Sequence, residues 1–250
     1  YYRTASEVGI YNISFSTAAL LSVIPTALMS LFIPVIGNLY AQKKSKEIKE
    51  INNTVVKWIF IINLFFASIL IIFGKDLLRI VFGAEYIQGY TALIILAVSY
   101  LMLSLTHVYS NNLLMVRRTK LVSLLVFIST FMVILLNILL VPEYGINGAA
   151  IATIAATLIF LVLIIICSFN IIKLQPIKID FIKSLLAGTL TIGLMGYLYK
   201  ILSISDLFIL ATLIILTFII YLTFLITFRC FSKEDIELMK NIKNKLYGKL

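Results

Sequence analysis

Long apolar runs separated by short polar segments dominate the chain. The runs lie at about 8–40, 54–73, 91–116, 121–141, 148–169, 184–199 and 207–228. About 20 residues at ~1.5 Å each cross a hydrocarbon core of ~30 Å as a helix, and the run 184–199 reaches that length if either end is extended. The runs lack the alternation of a membrane β-barrel. The pattern predicts an all-α polytopic membrane protein with about seven transmembrane helices.

The first run is the longest, and residues 8–40 contain no Asp, Glu, Lys, Arg or His. A helix of about 33 residues would reach ~50 Å, which exceeds the hydrocarbon core. Pro25 and Pro34 each remove a backbone donor, so they predict kinks and are candidate hinges. Because backbone groups freed at a kink need partners in protein or water, Asn12 and Ser16, which precede Pro25, are predicted to line a cavity.

Composition agrees with a membrane protein. The 250 residues are 62% hydrophobic and 13% charged, with mean hydropathy +1.09, whereas soluble domains carry about 25% charged residues. Cys167 and Cys230 are both expected near the cytoplasmic side, where disulfides rarely persist, and we predict neither a disulfide nor a metal site. The net charge of +10 does not indicate a nucleic-acid partner, because the basic residues lie in short loops between apolar runs.

The loops predict the orientation. Seventeen of the 21 Lys and Arg residues follow the first, third, fifth and seventh runs, whereas the opposite loops hold only Lys75, Arg79 and Lys200. By the positive-inside rule the rich side is cytoplasmic. We therefore expect a multi-pass cell-membrane protein whose chain begins outside and ends in the cytoplasm.

Several segments predict local structure. Residues 74–89 are amphipathic and predict a short helix at the outer interface. Residues 141–148 predict a tight outer turn, and the small residues at 149–157 predict a close helix approach. Packing glycines are expected at Gly188, Gly193 and Gly196 in the sixth run. Rising charge and a proline after Phe169 predict three regions, namely a five-span lobe (1–170), two additional helices (171–228) and a basic cytoplasmic tail (229–250).

Polar residues cluster in the third run. His107 lies near mid-membrane, and Asn111 stands four residues later on the same helix face. An ionisable group at that depth is costly, so His107 is either a substrate contact or protonation site, or a neutral side chain bonded to a neighbouring helix. No Asp or Glu lies inside any run, whereas a proton- or sodium-coupled antiporter normally keeps a carboxylate there. The sequence contains no motif for catalysis or cofactor binding, which predicts a protein that is not an enzyme.

Five segments in order resemble one family. They are V-G-I-Y-N at Val8–Asn12, N-L-Y-A at Asn38–Ala41, L-L-R-I-V-F-G-A-E-Y at Leu77–Tyr86, N-N-L-L-M-V-R-R-T-K at Asn111–Lys120, and V-P-E-Y-G-I-N-G-A-A-I-A-T at Val141–Thr153. Together they resemble the C-terminal half of the polysaccharide, or lipid-linked oligosaccharide, flippases. That family shares a superfamily with the multidrug and toxic-compound extrusion transporters.

The resemblance implies two six-helix lobes around a central cavity, with this chain as the second lobe plus two appended helices. Its partners would then be the missing N-terminal lobe, membrane lipid and a polyprenyl-linked sugar, flipped from the cytoplasmic to the outer leaflet by alternating access. The alternatives are a drug or cation antiporter of the same superfamily, and a non-transporting membrane subunit or polymerase of polysaccharide biosynthesis.

The implied cargo carries phosphate at the membrane surface. Arg117 and Arg118 end the third run and Lys57 begins the second, where a cytoplasmic cavity would open. Since a guanidinium offers a planar fork of donors to phosphate oxygens, Arg117 or Arg118 is predicted to bind the lipid phosphate. The polar faces of the first and third spans are predicted to bind the sugar through Asn12, Ser16, His107 and Asn111. The positive-inside rule alone also accounts for these charges.

The predicted orientation can be tested with single cysteines in a protein that lacks Cys167 and Cys230. An impermeant thiol reagent added outside the cell should label Ile146→Cys and spare Lys46→Cys, because the two positions lie on opposite sides of the membrane. Labelling of Lys46→Cys from outside would contradict the predicted topology.

Overall fold

The computed structural model describes residues 4–42, 44–172, 179–201 and 207–230. These residues form helices and short 3₁₀ turns, with no strand among them. The helices are α1 (Ala5–Ala19), α2 (Val23–Ala41), α3 (Ser45–Val81), α4 (Tyr90–Met115), α5 (Thr119–Ile172), α6 (Ile179–Ile201) and α7 (Leu207–Thr227). The predicted all-α polytopic membrane fold is confirmed. Most of the predicted basic tail lies outside the described residues.

The longest helix, α5, contains two spans. Its 54 residues would extend ~80 Å if straight, far beyond a bilayer. The chain reverses at Gly145, whose φ of 59° and ψ of −135° are open to glycine and rare for other residues. The Ser129 hydroxyl lies 3.5 Å from the carbonyl oxygen of Ala156, so residues 119–144 and 146–172 fold back against each other. The predicted turn at 141–148 is therefore present, and the described residues hold seven spans.

The first span consists of α1 and α2, which a 3₁₀ turn, Leu20–Ser22, separates. The Ser22 hydroxyl donates to the carbonyl oxygen of Ala19 at 2.6 Å. Pro25, which has no N–H to donate, follows in the first turn of α2. The helix therefore changes its winding next to Pro25, as predicted, whereas α2 continues without interruption through Pro34.

The central helix is α3, which packs against α2, α4, α6 and α7. Ile59, Ala67 and Phe73 on α3 are fully buried. The helix continues to Val81, about two turns beyond the predicted end of the second apolar run. The prediction of a separate interface helix over 74–89 was therefore wrong, because its first half completes α3 and only a 3₁₀ turn, Ala84–Gly89, follows.

The α6–α7 pair joins the bundle through α3. The Phe60 and Phe181 rings stack with centroids 3.8 Å apart, and the Tyr221 hydroxyl donates to the carbonyl oxygen of Ile61 at 2.9 Å. Gly188 lies against the side chain of Leu64, so its predicted packing role is confirmed. A Cβ at Gly193 or Gly196 would meet no described neighbour within 4 Å, so the structure gives these two no packing contact.

The α3–α6 contact predicts the effect of one methyl group. A Cβ at Gly188 would approach Leu64 Cγ to 2.7 Å, and Leu64 is 4% exposed in a packed cluster. We expect Gly188→Ala to lower the free energy of unfolding by about 1–3 kcal/mol through overpacking. Unfolding followed in detergent micelles measures this change. Gly193→Ala is the matched control and should be neutral or slightly stabilising. Equal stability of the two variants would contradict the predicted close contact.

Candidate functional site

A cavity of about 790 Å³ opens where α2 and α4 end and α3 begins. We call this the Arg117 end of the bundle and the opposite end, where the chain reverses at Gly145, the Gly145 end. The cavity is lined by Ile36, Tyr40, Ala41, Ile48, Asn112, Met115, Val116, Arg117 and Ile172. Apolar side chains form most of the wall, and Tyr40, Asn112 and Arg117 supply polar groups. A mostly apolar hollow with few polar groups is typical of a small-molecule or lipid site.

Arg117 ends α4 in a left-handed conformation, with φ of 59°. Its N–H donates to the carbonyl oxygen of Leu114, and the N–H of Arg118 donates to that of Leu113, each at 3.0 Å. Glycine is the usual residue at this helix-ending position, because a side chain there strains the backbone. A non-glycine residue held in this conformation at a cavity wall is the kind of strain that concentrates at functional sites.

Two buried amides join α3 and α4 beside the cavity. Asn112 Nδ2 donates to Asn52 Oδ1, and the two residues are 3% and 0% exposed. Asn52 Nδ2 and Asn112 Oδ1 have no hydrogen-bond partner among the described residues. One acceptor therefore remains unused on Asn112, which lines the cavity, and one donor on Asn52, which does not.

Of the predicted substrate residues, Arg117 lines the cavity. Arg118 directly precedes α5, and its carbonyl oxygen accepts from the N–H of Leu121. Its side chain is exposed and is not part of the cavity lining. Asn111 Nδ2 donates to the carbonyl oxygen of His107 at 2.8 Å, one turn back on the same helix. His107 is half-buried, and neither it nor Asn111 lines the cavity. Of these four residues, only Arg117 therefore lines the cavity, and Arg118, Asn111 and His107 do not.

Asn12 and Ser16 lie elsewhere. Both are exposed on one face of α1, four residues apart, and neither lines the cavity. Thr26 and Ser30 are likewise exposed on α2. The first span thus presents polar side chains on a surface that the described residues leave uncovered.

Sequence reasoning missed Asn52 and chose Asn111 rather than Asn112. The adjacent amides at 111 and 112 are a signal in the sequence, but they point about 100° apart on a helix. Contact with α3 decides which of them is buried. That contact cannot be read from α4 alone.

Lys57 was predicted at the cavity mouth, and this was wrong. Its Nζ donates to the carbonyl oxygen of Cys230 at 3.3 Å, and the residue is 8% exposed. Cys230 follows α7, whose terminal carbonyls attract a positive charge. Lys57 therefore binds the end of α7 instead of lining the cavity.

One carboxylate of α3 lies three residues beyond the apolar run at 54–73. Asp76 lies inside α3 and is 5% exposed. Its Oδ1 is 2.9 Å from Arg79 Nη2, and its Oδ2 accepts from the Tyr199 hydroxyl at 2.6 Å. This group is roughly 40 Å along α3 from the Ile48 side of the cavity. Among the described residues, no group of three His, Cys, Asp or Glu side chains could hold a metal ion.

The sequence and the fold of the chain are similar to those of known proteins. Its sequence matches the MatE family over residues 1–142. Over 154 residues, 61% of the chain, it is 26% identical to the "Probable low-salt glycan biosynthesis flippase Agl15" of Haloferax volcanii, of which it covers 32%. The fold is similar to that of "Lipid II flippase MurJ, inward closed conformation", with a TM-score of 0.63 and 19% identity over 90% of this chain and 50% of that one. The chain thus spans about a third of the length of the first relative and half of the length of the second. Because the family match covers more than half of its residues, the chain belongs to the MatE family.

Proposed function

We propose that the chain forms one lobe of a flippase that moves a polyprenyl-linked oligosaccharide from the cytoplasmic to the outer leaflet by alternating access. The observation that carries this proposal is the cavity at the Arg117 end, which combines apolar walls with a guanidinium at its rim. Both relatives named above are called flippases, which favours a transporter over a non-transporting subunit or polymerase.

The chemistry of the cavity suits a lipid phosphate. Arg117 can donate two parallel hydrogen bonds to phosphate oxygens through its planar guanidinium. Ile36, Ile48 and Ile172 provide an apolar wall for the adjoining prenyl units. In this proposal the Arg117 end faces the cytoplasm, in agreement with the distribution of Lys and Arg in the loops.

The exposed polar face of the first span supports a second lobe. Asn12, Ser16, Thr26 and Ser30 are exposed along α1 and α2. Because lipid offers polar groups no hydrogen bonds, such a face is expected to border protein or water. The chain covers half of the MurJ chain, which leaves room for a partner lobe. The two lobes would enclose a central cavity, which is distinct from the cavity at the Arg117 end. We infer that Asn12 and Ser16 face this central cavity and contact the sugar, with His107 deeper in the same lobe.

The drug or cation antiporter is the runner-up. Asp76 is a buried carboxylate of the kind that such a relay requires. Both of its oxygens already have partners, Arg79 and Tyr199, and it lies at the end opposite the cavity. This arrangement favours a structural role for Asp76 and supports the flippase.

The phosphate role predicts the effect of a charge-conserving substitution. Arg117→Lys keeps the topology signal and loses the paired donors, which we expect to lower flipping about tenfold, since hydrogen bonds to charged groups contribute ~1.5–3 kcal/mol. Arg118→Lys is the matched control and should flip normally. Transport of a fluorescent polyprenyl-phosphate sugar by the full-length protein in proteoliposomes measures both.

A further variant separates charge from backbone strain. Arg117→Gly relieves the left-handed conformation, so this protein should fold at least as well as the wild type and still flip slowly. Normal flipping by Arg117→Lys and Arg117→Gly, with orientation verified, would contradict the phosphate role.

The break between α1 and α2 predicts a hinge. Pro25→Ala restores a backbone donor and should extend regular helix through the 3₁₀ turn, which biases the two access states and slows transport several-fold without loss of folded protein. Pro34→Ala, within an uninterrupted stretch of α2, should have the smaller effect. Wild-type rates in well-folded Pro25→Ala protein would remove this hinge from the mechanism.

A further inference from the structure

The amide pair at the cavity wall is chemically incomplete. Asn52 and Asn112 share one hydrogen bond, and each keeps one amide atom unused. Asn52 Nδ2 remains a donor and Asn112 Oδ1 remains an acceptor, while Asn112 lines the cavity. A buried polar atom without a partner is costly, and more so in a membrane, where water is scarce.

Packing alone does not account for two such amides. A pair of apolar side chains of similar size would join α3 to α4 without leaving polar atoms unpaired, and replacing both members of a buried polar pair is often neutral or stabilising. The unused donor and acceptor therefore point to a ligand group that fits them.

We propose that Asn52 and Asn112 form a subsite that binds a hydroxyl group of the cargo's first sugar. The subsite rests on the proposed function, because it assigns the sugar half of the same lipid whose phosphate Arg117 binds. A hydroxyl donates one hydrogen bond to Asn112 Oδ1 and accepts one from Asn52 Nδ2 through a single oxygen. Phosphate monoanions and dianions act mainly as acceptors, and prenyl chains do neither.

The spacing along α4 agrees with this division. Asn112 lies in the last turn of α4 and is 3% exposed, whereas Arg117, five residues later, is exposed just beyond the end of the helix. A lipid whose phosphate is at Arg117 would therefore direct the adjoining sugar towards the amide pair.

Four lipids separate the two halves of the site: a polyprenol, its phosphate, its glucoside and its phosphate-linked glucose. Affinities are measured for the purified full-length protein in lipid nanodiscs. We expect the wild-type protein to bind each glucose-carrying lipid at least tenfold more tightly than the same lipid without glucose, whether or not a phosphate is present. Asn112→Leu should abolish this gain and leave the affinity for the bare polyprenyl phosphate within twofold. Asn111→Leu is the matched control, because Asn111 bonds its own helix outside the cavity, and it should retain the gain.

Stability provides a second measurement that needs no ligand. The double variant Asn52→Leu/Asn112→Leu should unfold at the same temperature as the wild type or at a higher one, because it removes two unpaired polar atoms. A marked fall would show that the pair serves the fold and would overturn the subsite. So would a glucose gain that survives in Asn112→Leu, an equal loss of affinity for all four lipids, or no glucose gain in the wild type.

Failure of the proposed function gives a different result. In that case phosphate would not increase wild-type affinity over the polyprenol, whatever the effect of glucose. The phosphate comparison tests Arg117, and the glucose comparison tests the amide pair.

Discussion

Polar side chains on α3 that have little access to water hold the other helices in place. In lipid these groups must find partners within the protein, and α3 supplies them to three different neighbours. Asn52 bonds α4, Lys57 bonds the residue that follows the last turn of α7, and Asp76 bonds α6. The bonds of Lys57 and Asp76 fix the register and rotation of α7 and α6, whereas Asn52 meets α4 in a pair that leaves two amide atoms without partners. Apolar packing around α3 then fills the remaining space.

The two ends of the bundle differ in how closely their helices are connected. At the Gly145 end, short hydrogen bonds connect elements distant in sequence, such as the Ser14 hydroxyl to the carbonyl oxygen of Gly89 at 3.0 Å and the Tyr90 hydroxyl to that of Ile71 at 2.7 Å. At the Arg117 end the helices enclose a cavity of about 790 Å³. The described bundle can therefore admit a ligand at the Arg117 end.

The sequence predicted the fold well, and of the proposed site residues it singled out one that lines the cavity, Arg117, for physical reasons. Long apolar runs predict the spans, and proline and glycine predict the turn at Gly145, so both features could be derived from the sequence. Arg117 was found because a charge at the end of a span is conspicuous. The choice between Asn111 and Asn112 depends on how α4 is rotated against α3, and two adjacent polar residues give no preference. The partner of Lys57 lies 173 residues away, beyond any local pattern.

The separation of Lys57 and Cys230 in the sequence also affects the order in which the contacts of the protein form. Lys57 lies in the second described span, whereas Cys230 follows the seventh. At ~5–20 residues per second, a ribosome needs roughly 10–30 s to travel between them. During this interval the carbonyl oxygen of Cys230 does not yet exist. The contact between Lys57 and the end of α7 therefore forms only after the seventh described span has been synthesised, and not when α3 is inserted.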